Sequence, residues 1–274
     1  MRAARLTSPA TTPTGPGAAG GADPVVLVAH GSRDPRAADA TRALAQAVSA
    51  ARPGTQVWAS WLDHTEPGPT EVLRDLAVAG HRRAVLVPLL LTAAYHHRVD
   101  IPAAIAAAAQ AGPELAVRVT DVLGPADGTV DLGLLAGLRR RLGEAQPGRF
   151  DALVLAAAGT RDARARRSVG RVADALGVEF GVPCRVAYAS AAPPESGVAV
   201  SRLRAAGARR VAVSAYFLAP GLFHDAVAEA ARAAGAVAVA APLTDAPELV
   251  ELVLRRVDDR PGERVVDSGR VTAR

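Results

Sequence analysis

The sequence predicts an α/β fold of two similar tandem domains, each a parallel sheet flanked by helices, related by a pseudo-twofold. Three observations predict it. The chain says the same thing twice: "PVVLVAHGSRDPRAADATRALAQAVSA" returns as "DALVLAAAGTRDARARRSVGRVADALG", "TQVWASWLDHTEPGPTEVLRDL" as "CRVAYASAAPPESGVAVSRL", and "VAGHRRAVLVPLLLTAAYHH" as "AAGARRVAVSAYFLAPGLFH", always in that order. Within each copy, short β-branched runs alternate with longer Ala/Leu/Arg stretches, the rhythm of a parallel sheet with helices on both faces. The 274 residues, half of them hydrophobic, suffice to build two cores.

In the first copy, "VVLVA" (25–29), "QVWAS" (56–60), "AVLVPLLL" (84–91) and "AVRVTDV" (116–122) read as strands buried on both faces, because they lack the polar alternation of a half-exposed sheet. "PRAADATRALAQAVSAA" (35–51), "GPTEVLRDLAVAG" (68–80) and "DIPAAIAAAAQAG" (100–112) carry helical composition punctuated by Gly and Pro. The join falls near "AQPGRFDA" (145–152). The expected division is a disordered Pro/Gly/Thr-rich leader over 1–23, a first domain over 24–147 that carries the active site, a degenerate second domain over 148–258, and a flexible tail over 259–274.

Composition excludes several chemistries. There is no lysine, so all 32 basic residues are arginine, which removes Schiff-base, Walker A and pyridoxal mechanisms. The single cysteine, Cys184, removes internal disulfides, iron–sulfur cages and thiolate zinc sites, and fits a reducing cytoplasm. No apolar run reaches membrane-spanning length, and the opening residues lack a signal-peptide core. The net charge of +5 and the pI near 10.4 raise the question of nucleic acid. The arginines are interspersed with 27 acidic residues and few aromatics, which argues against it and leaves a small polyanionic ligand as the better partner.

In open α/β sheets ligands bind beyond the carboxyl ends of the strands, so those ends are where function is sought. The first strand runs into His30, Gly31, Ser32 and Arg33; the second into Trp61, Leu62 and Asp63, with His64 and Glu66 close behind; the third into Tyr95, His96, His97 and Arg98. His30, Asp63 and His96 are thus expected at one cleft, and imidazole with carboxylate suits Fe(II), Co(II), Ni(II) or Zn. Structural duties compete with that reading. Gly31 serves a tight turn, Ser32 or Asp34 caps a helix, and Asp63 and Glu66 suit a helix start. His81 falls on the far side of the sheet. The second copy weighs in favour of function, for it has Ala158 in place of His30, Ala191 near the place of Asp63, and "FHDAVAE" in place of "HHRVDIP". Scaffold phrases persist while metal-capable side chains mostly go, so one site per chain is expected, in the first half. His224 reads as a remnant of the duplicate.

With "VAHGSRDPR" followed by "VPLLLTAAYHHRVDIP", the sequence resembles the sirohydrochlorin chelatases of the CbiX/SirB type, a branch of the class II chelatases, over roughly residues 24–258. The long members of that family are internally duplicated, so the resemblance implies that both domains are chelatase-like. It also implies nucleotide-independent insertion of a divalent metal into sirohydrochlorin, with the metal as substrate (Fe2+ favoured, with Co2+ and Ni2+ as alternatives) and no organic cofactor. It implies metal ligands at His30 and at His96, four residues before the Asp of "DIP". An ungapped alignment of the two copies instead pairs His97 with His224, so His97 stands beside His96 as a candidate. The acidic residue after the second strand is Asp63, with Glu66 as a substitute; a histidine or Asp63 takes up pyrrole protons. Arg33, Arg36 and Arg98, with the backbone of Gly31 and Ser32, are expected to bind the macrocycle's carboxylates. Duplication implies a monomer or, built upon, a homodimer. The alternatives are a cobalt or nickel chelatase of cobalamin or another tetrapyrrole, a non-catalytic tetrapyrrole or metal carrier, and a phosphate-binding enzyme using "HGSR", for which the glycines are too few.

Overall fold

The computed structural model describes residues 22–93, 96–125, 128–259 and 265–266, and the side chains of His96, His97, Val265 and Val266 are outside that description. Residues 1–21 of the expected leader and residues 260–264 and 267–274 of the expected tail lie outside the described residues.

The first half runs β1 (Val25–Ala29), α1 (Pro35–Ala51), β2 (Val57–Trp61), α2 (Pro69–Val78), β3 (Arg83–Pro88), a π-helical turn (His96–Asp100), α3 (Ile101–Ala111), β4 (Ala116–Val119) and α4 (Leu132–Glu144). The second repeats the plan: β5 (Ala152–Ala157), α5 (Ala163–Phe180), β6 (Cys184–Tyr188), α6 (Ser196–Ala205), β7 (Val211–Tyr216), α7 (Leu222–Ala233), β8 (Ala238–Val239) and α8 (Pro247–Asp258). The sheets are ordered β2-β1-β3-β4 and β6-β5-β7-β8, all parallel; β9 (Val265–Val266) adds an antiparallel edge beside β4.

The helices begin where local chemistry dictates. Asp34, Asp131 and Asp162 cap α1, α4 and α5, their carboxylates accepting from backbone N–H groups of the first turn. Proline stands at the start of α1, α2, α3 and α8, where its missing N–H costs nothing.

Side chains alternate along each strand, and the two faces meet different cores. Val26, Val28, Ala84 and Leu86 face outward onto Val72, Leu73 and Leu76 of α2 and Ile101 and Ile105 of α3. In the second half Val154, Ala156, Val211 and Val213 do the same with α6 and α7. The inward faces share one core: Val25, Leu27, Val85 and Val87 from one sheet and Leu153 and Leu155 from the other, with α1, α4, α5 and α8 between them.

Those inner helices are exchanged. Helix α4 leaves the first sheet to pack on β7 and α5, while α8 leaves the second to pack on β3 and α1; α4 and α8 meet in the middle. Leu134, Leu138 and Leu142 of α4 and Leu249, Leu252 and Val253 of α8 carry that contact, all nearly inaccessible. The exchange is reciprocal, as a pseudo-twofold requires.

Two strands are shorter than their hydrophobic runs. Leu89–Leu91 were expected to extend β3, but after Leu89 donates to Val28 the chain turns off toward the second half, and the Leu90 carbonyl accepts from Leu123. The fourth strand ends at Val119, and Val122 and Leu123 are buried as irregular chain against the same junction.

Candidate functional site

The site is built on the crevice between β1 and β3, where the strand order reverses and both loops lead away in opposite directions. His30 follows the last residue of β1 and is exposed; its Nδ1 lies 3.2 Å from the Gly31 carbonyl oxygen. The next residues make a tight turn. Gly31 has φ +96°, and a Cβ there would fall 1.8 Å from the Asp63 carbonyl oxygen, so only glycine fits. The Asp63 N–H donates to the His30 carbonyl at 3.0 Å, binding the end of β2 to the end of β1. Ser32 Oγ accepts from the Asp34 N–H at 3.1 Å, and Asp34 caps α1, so both expected cappers serve the turn.

The second half reproduces this turn piece by piece. Gly159 has φ +101° and would place a Cβ 1.9 Å from the Ser190 carbonyl; Ser190 N–H donates to Ala158 O at 3.0 Å; Thr160 accepts from Asp162 N–H at 3.1 Å. The glycine, the hydroxyl and the capping aspartate are kept, while His30 becomes Ala158, Pro35 becomes Ala163 and the docked Asp63 becomes Ser190. The strand register also corrects the pairing of the second loop. Ala29 pairs with Trp61 and Ala157 with Tyr188, which aligns Asp63 with Ser190 and sets Ala191 opposite His64. Both of the latter take positive φ, 62° at His64 and 60° at Ala191.

His30 lines a small cavity of about 140 Å³ with Gly31, Trp61, Leu89 and, from the second half, Leu218 and Ala219. Asp63, His64, Glu66 and Glu71 line a separate open groove of about 760 Å³, and Trp61 is common to both. Of these two, the smaller hollow holds His30 and residues of both halves, which makes it the candidate site. Asp63 is therefore adjacent to His30 through its backbone, while one of its carboxylate oxygens accepts from the His64 N–H at 2.8 Å. Glu66 precedes Pro67 on the groove side and does not line the His30 cavity.

The π-helical turn His96–Asp100 carries the other two histidines. Such a turn accommodates an extra residue in a helix and often marks a functional position. The side chains of His96 and His97 lie outside the described residues. Counting from Val85 and Ala212, which hold the same register against β1 and β5, His97 falls opposite His224 and His96 opposite Phe223. Among the described residues, no group of three or more His, Cys, Asp or Glu side chains is placed to hold a metal ion.

Of the expected arginines, Arg33 is exposed beside His30. Arg36 donates to Asp34 and, across the two halves, to Asp225 at 2.6 Å. Arg98 lies 3.4 Å from Asp162, again across the halves. Sequence reasoning missed Asp162 and Asp225 as parts of the cleft, and Arg161, which stands in the second turn where Arg33 stands in the first. The repeated "TRDAR" and "SRDPR" contained the signal, for a pseudo-twofold sets both turns at one mouth.

Two other residues that the sequence singles out make structural contacts. His224 is mostly buried, its Nε2 3.1 Å from the Ala240 carbonyl and its ring edge-on to Phe217 at 5.9 Å, so it ties α7 to the segment after β8. Cys184 is a buried free thiol, and burial pushes its pKa up to about 12, which keeps it protonated and inert. No described helix is long and apolar enough to cross a membrane.

The same architecture occurs in known proteins. SirB from Bacillus subtilis with Fe3+ superposes with a TM-score of 0.74 at 21% identity, covering 86% of this chain and 94% of its own. SirB from Bacillus subtilis subspecies spizizenii in complex with cobalt gives 0.72 at 21% identity, with 86% and 94% covered. CbiX, described as the terminal enzyme for biosynthesis of siroheme in denitrifying bacteria, gives 0.62 at 19% identity, with 86% and 98% covered. No curated protein sequence matches the chain. The CbiX family model matches twice, over residues 24–135 and again over 152–260, one match for each half and its copy of the strand-end turn, and the chain belongs to that family.

Proposed function

We propose that the protein is a sirohydrochlorin chelatase, inserting a divalent metal, with Fe(II) favoured, into sirohydrochlorin. One observation carries the reading: the turn after β1 is rebuilt in the second half with its glycine, hydroxyl and capping aspartate intact, while the metal-capable side chain His30 is exchanged for Ala158. A histidine retained for the turn itself would have no reason to go.

His30 and His96, or His97 in its place, hold M(II) through neutral imidazole nitrogens and leave coordination positions open. The macrocycle enters between the halves, and its four pyrrole nitrogens take the metal from the protein. Two N–H protons leave in the exchange, so that M(II) and the free macrocycle give the metallated macrocycle and two H+. A histidine accepts them, as an imidazole can near neutral pH, while the Asp63 carboxylate lines the adjoining groove. Arg33, Arg36 and Arg98 bind peripheral carboxylates as two-pronged donors. The apolar walls supplied by Leu89, Leu218 and Ala219 keep water from the transfer. Solved relatives carry Fe3+ and cobalt respectively, so the metals are tested side by side.

The experiment is anaerobic absorption spectroscopy of sirohydrochlorin with limiting protein and Fe(II), Co(II) or Ni(II), comparing wild type with His30→Ala. Multiple turnovers in the wild type and none in the variant support the assignment, and relative rates rank the metals. Binding without turnover makes the protein a carrier. Equal turnover in the variant removes His30 from the chemistry.

A further inference from the structure

We propose, building on the chelatase reading, that Asp225 and Asp162 are internal stand-ins for the ligand's carboxylates. They hold the two guanidinium groups, Arg36 and Arg98, that bind the macrocycle's edge, and the macrocycle enters by displacing both.

The two contacts are one contact seen twice. Asp34 and Asp162 are the same residue of the repeat, each capping the helix after the first strand of its half. Arg98 and Asp225 are also equivalent, each thirteen residues beyond a strand position, Val85 or Ala212, in the same sheet register. The pseudo-twofold sets the helix cap of one half against the segment after the third strand of the other. At one junction Arg98 meets Asp162 directly, 3.4 Å apart. At the other an aspartate replaces the arginine, and Arg36 spans the resulting pair of carboxylates, Asp34 at 2.5 Å and Asp225 at 2.6 Å. A guanidinium–carboxylate pair is rebuilt at both junctions even though the charges are distributed differently.

Both junctions border the site. A Cβ at Gly221, just before α7, would fall within 4.0 Å of Ser32 and Asp34, and the neighbouring Leu218 and Ala219 line the His30 cavity. Arg98 lies within the π-helical turn that holds His96 and His97. Both pairs are reachable from solvent: side-chain exposure is 51% and 50% for Arg36 and Asp225, 48% and 28% for Arg98 and Asp162. Exposed pairs of this kind hold weakly. A carboxylate from the ligand makes the same bonds an aspartate makes, so exchange at each junction is nearly neutral, and a ligand gains by bringing carboxylates to both junctions at once. The internal aspartates thus discriminate by number and spacing of carboxylates, turning away ligands that reach only one junction.

The test uses the full chain carrying Asp162→Asn, Asp225→Asn or both; asparagine still caps α5, so the helix start is preserved. Glu251→Gln, on α8, is the control for net charge alone. Steady-state metallation of sirohydrochlorin and calorimetric binding of benzenehexacarboxylate, a probe with carboxylates and no macrocycle, are measured at low and high salt. The expected result is a KM lower by roughly two- to fivefold for each single variant and on the order of tenfold for the double, at unchanged kcat. The probe binds tighter in parallel, the gain shrinks in high salt, and the control matches wild type. Unchanged or raised KM with wild-type chelation intact overturns the proposal, since the aspartates then only brace the two halves. A gain equal to that of Glu251→Gln overturns it as well. Should the wild type fail to metallate sirohydrochlorin while the double variant still binds the probe more tightly, the chelatase reading falls and the two exchangeable carboxylate positions stand.

Discussion

The phenol hydroxyl of Tyr216, at the end of β7, donates to the carbonyl oxygen of Leu91, where the chain leaves β3, across 3.1 Å. The bond joins the two halves beneath the cleft, and Gly124 fits against both partners: a Cβ there would fall 1.9 Å from the Leu91 oxygen and 2.8 Å from the phenol. Complete burial raises the phenol's pKa above its ordinary value, so it remains a donor at any pH the fold survives. Tyr216→Phe should cost about 1 kcal/mol of stability, the net worth of one hydrogen bond. Gly124→Ala should cost more, roughly 3 kcal/mol, because backbone must move to admit the methyl. Urea unfolding of the two variants checks the order.

The twin turns separate structural from chemical duty. Gly31→Ala and Gly159→Ala each force a side chain into left-handed backbone and onto a carbonyl less than 2 Å away. Both should lower the melting temperature by several degrees, about equally. His30→Ala should leave it nearly unchanged and abolish metallation. Calorimetry beside the spectroscopic assay tells the three apart.

His224→Ala removes the tie to Ala240 and the ring contact with Phe217. The expected loss is about 1–2 kcal/mol of stability with activity per folded molecule retained. A drop in kcat without a drop in stability would bring His224 into the chemistry.

Acid should loosen the molecule where charged pairs cross it. Arg36 holds the Asp225 carboxyl below its ordinary value, and Arg52 does the same for Asp258, which it grips with two hydrogen bonds of 2.7 and 2.6 Å. A carboxyl whose pKa is lower folded than unfolded adds stability that is complete above the unfolded value, about 4, and lost as pH falls through the folded one. The urea midpoint should therefore hold its contribution from these pairs between about pH 7 and 5 and fall below about pH 4. In Asp258→Asn the fall should be shallower.

Much of the fold was legible because buried parallel strands and capped helices are local signals: "VVLVA" and "PRAADATRALAQAVSAA" match β1 and α1 residue for residue. The strand-end rule points to His30, Asp63 and His96 from the letters alone; the structure sets His30 at the crevice and the Asp63 side chain on a separate groove, a division that only the folded loops decide. What could not be read was non-local. Nothing in "LGLLAGLRRRLGE" says that α4 packs on the other half's β7, since an amphipathic helix specifies an apolar partner without naming it. Arg36 and Arg98 were expected at the cleft mouth, but their pairing with Asp225 and Asp162 arises only when the halves are set face to face. The letters bring Asp63 only near Ala191; the ladder fixes the register and aligns it with Ser190.

The exchange of α4 and α8 has a consequence for inheritance. A duplicated gene usually leaves its spare copy free to decay or be deleted. Here the second copy supplies the helix that closes the first sheet's inner face and receives one in return, so neither can be dropped without exposing the other's leucines. The second turn forms with alanine at position 158, while Leu249, Leu252 and Val253 have to stay apolar to fill the shared core. The interlock ties the fate of each half to the other, which fits a sequence that varies its strand-end side chains and keeps its grammar.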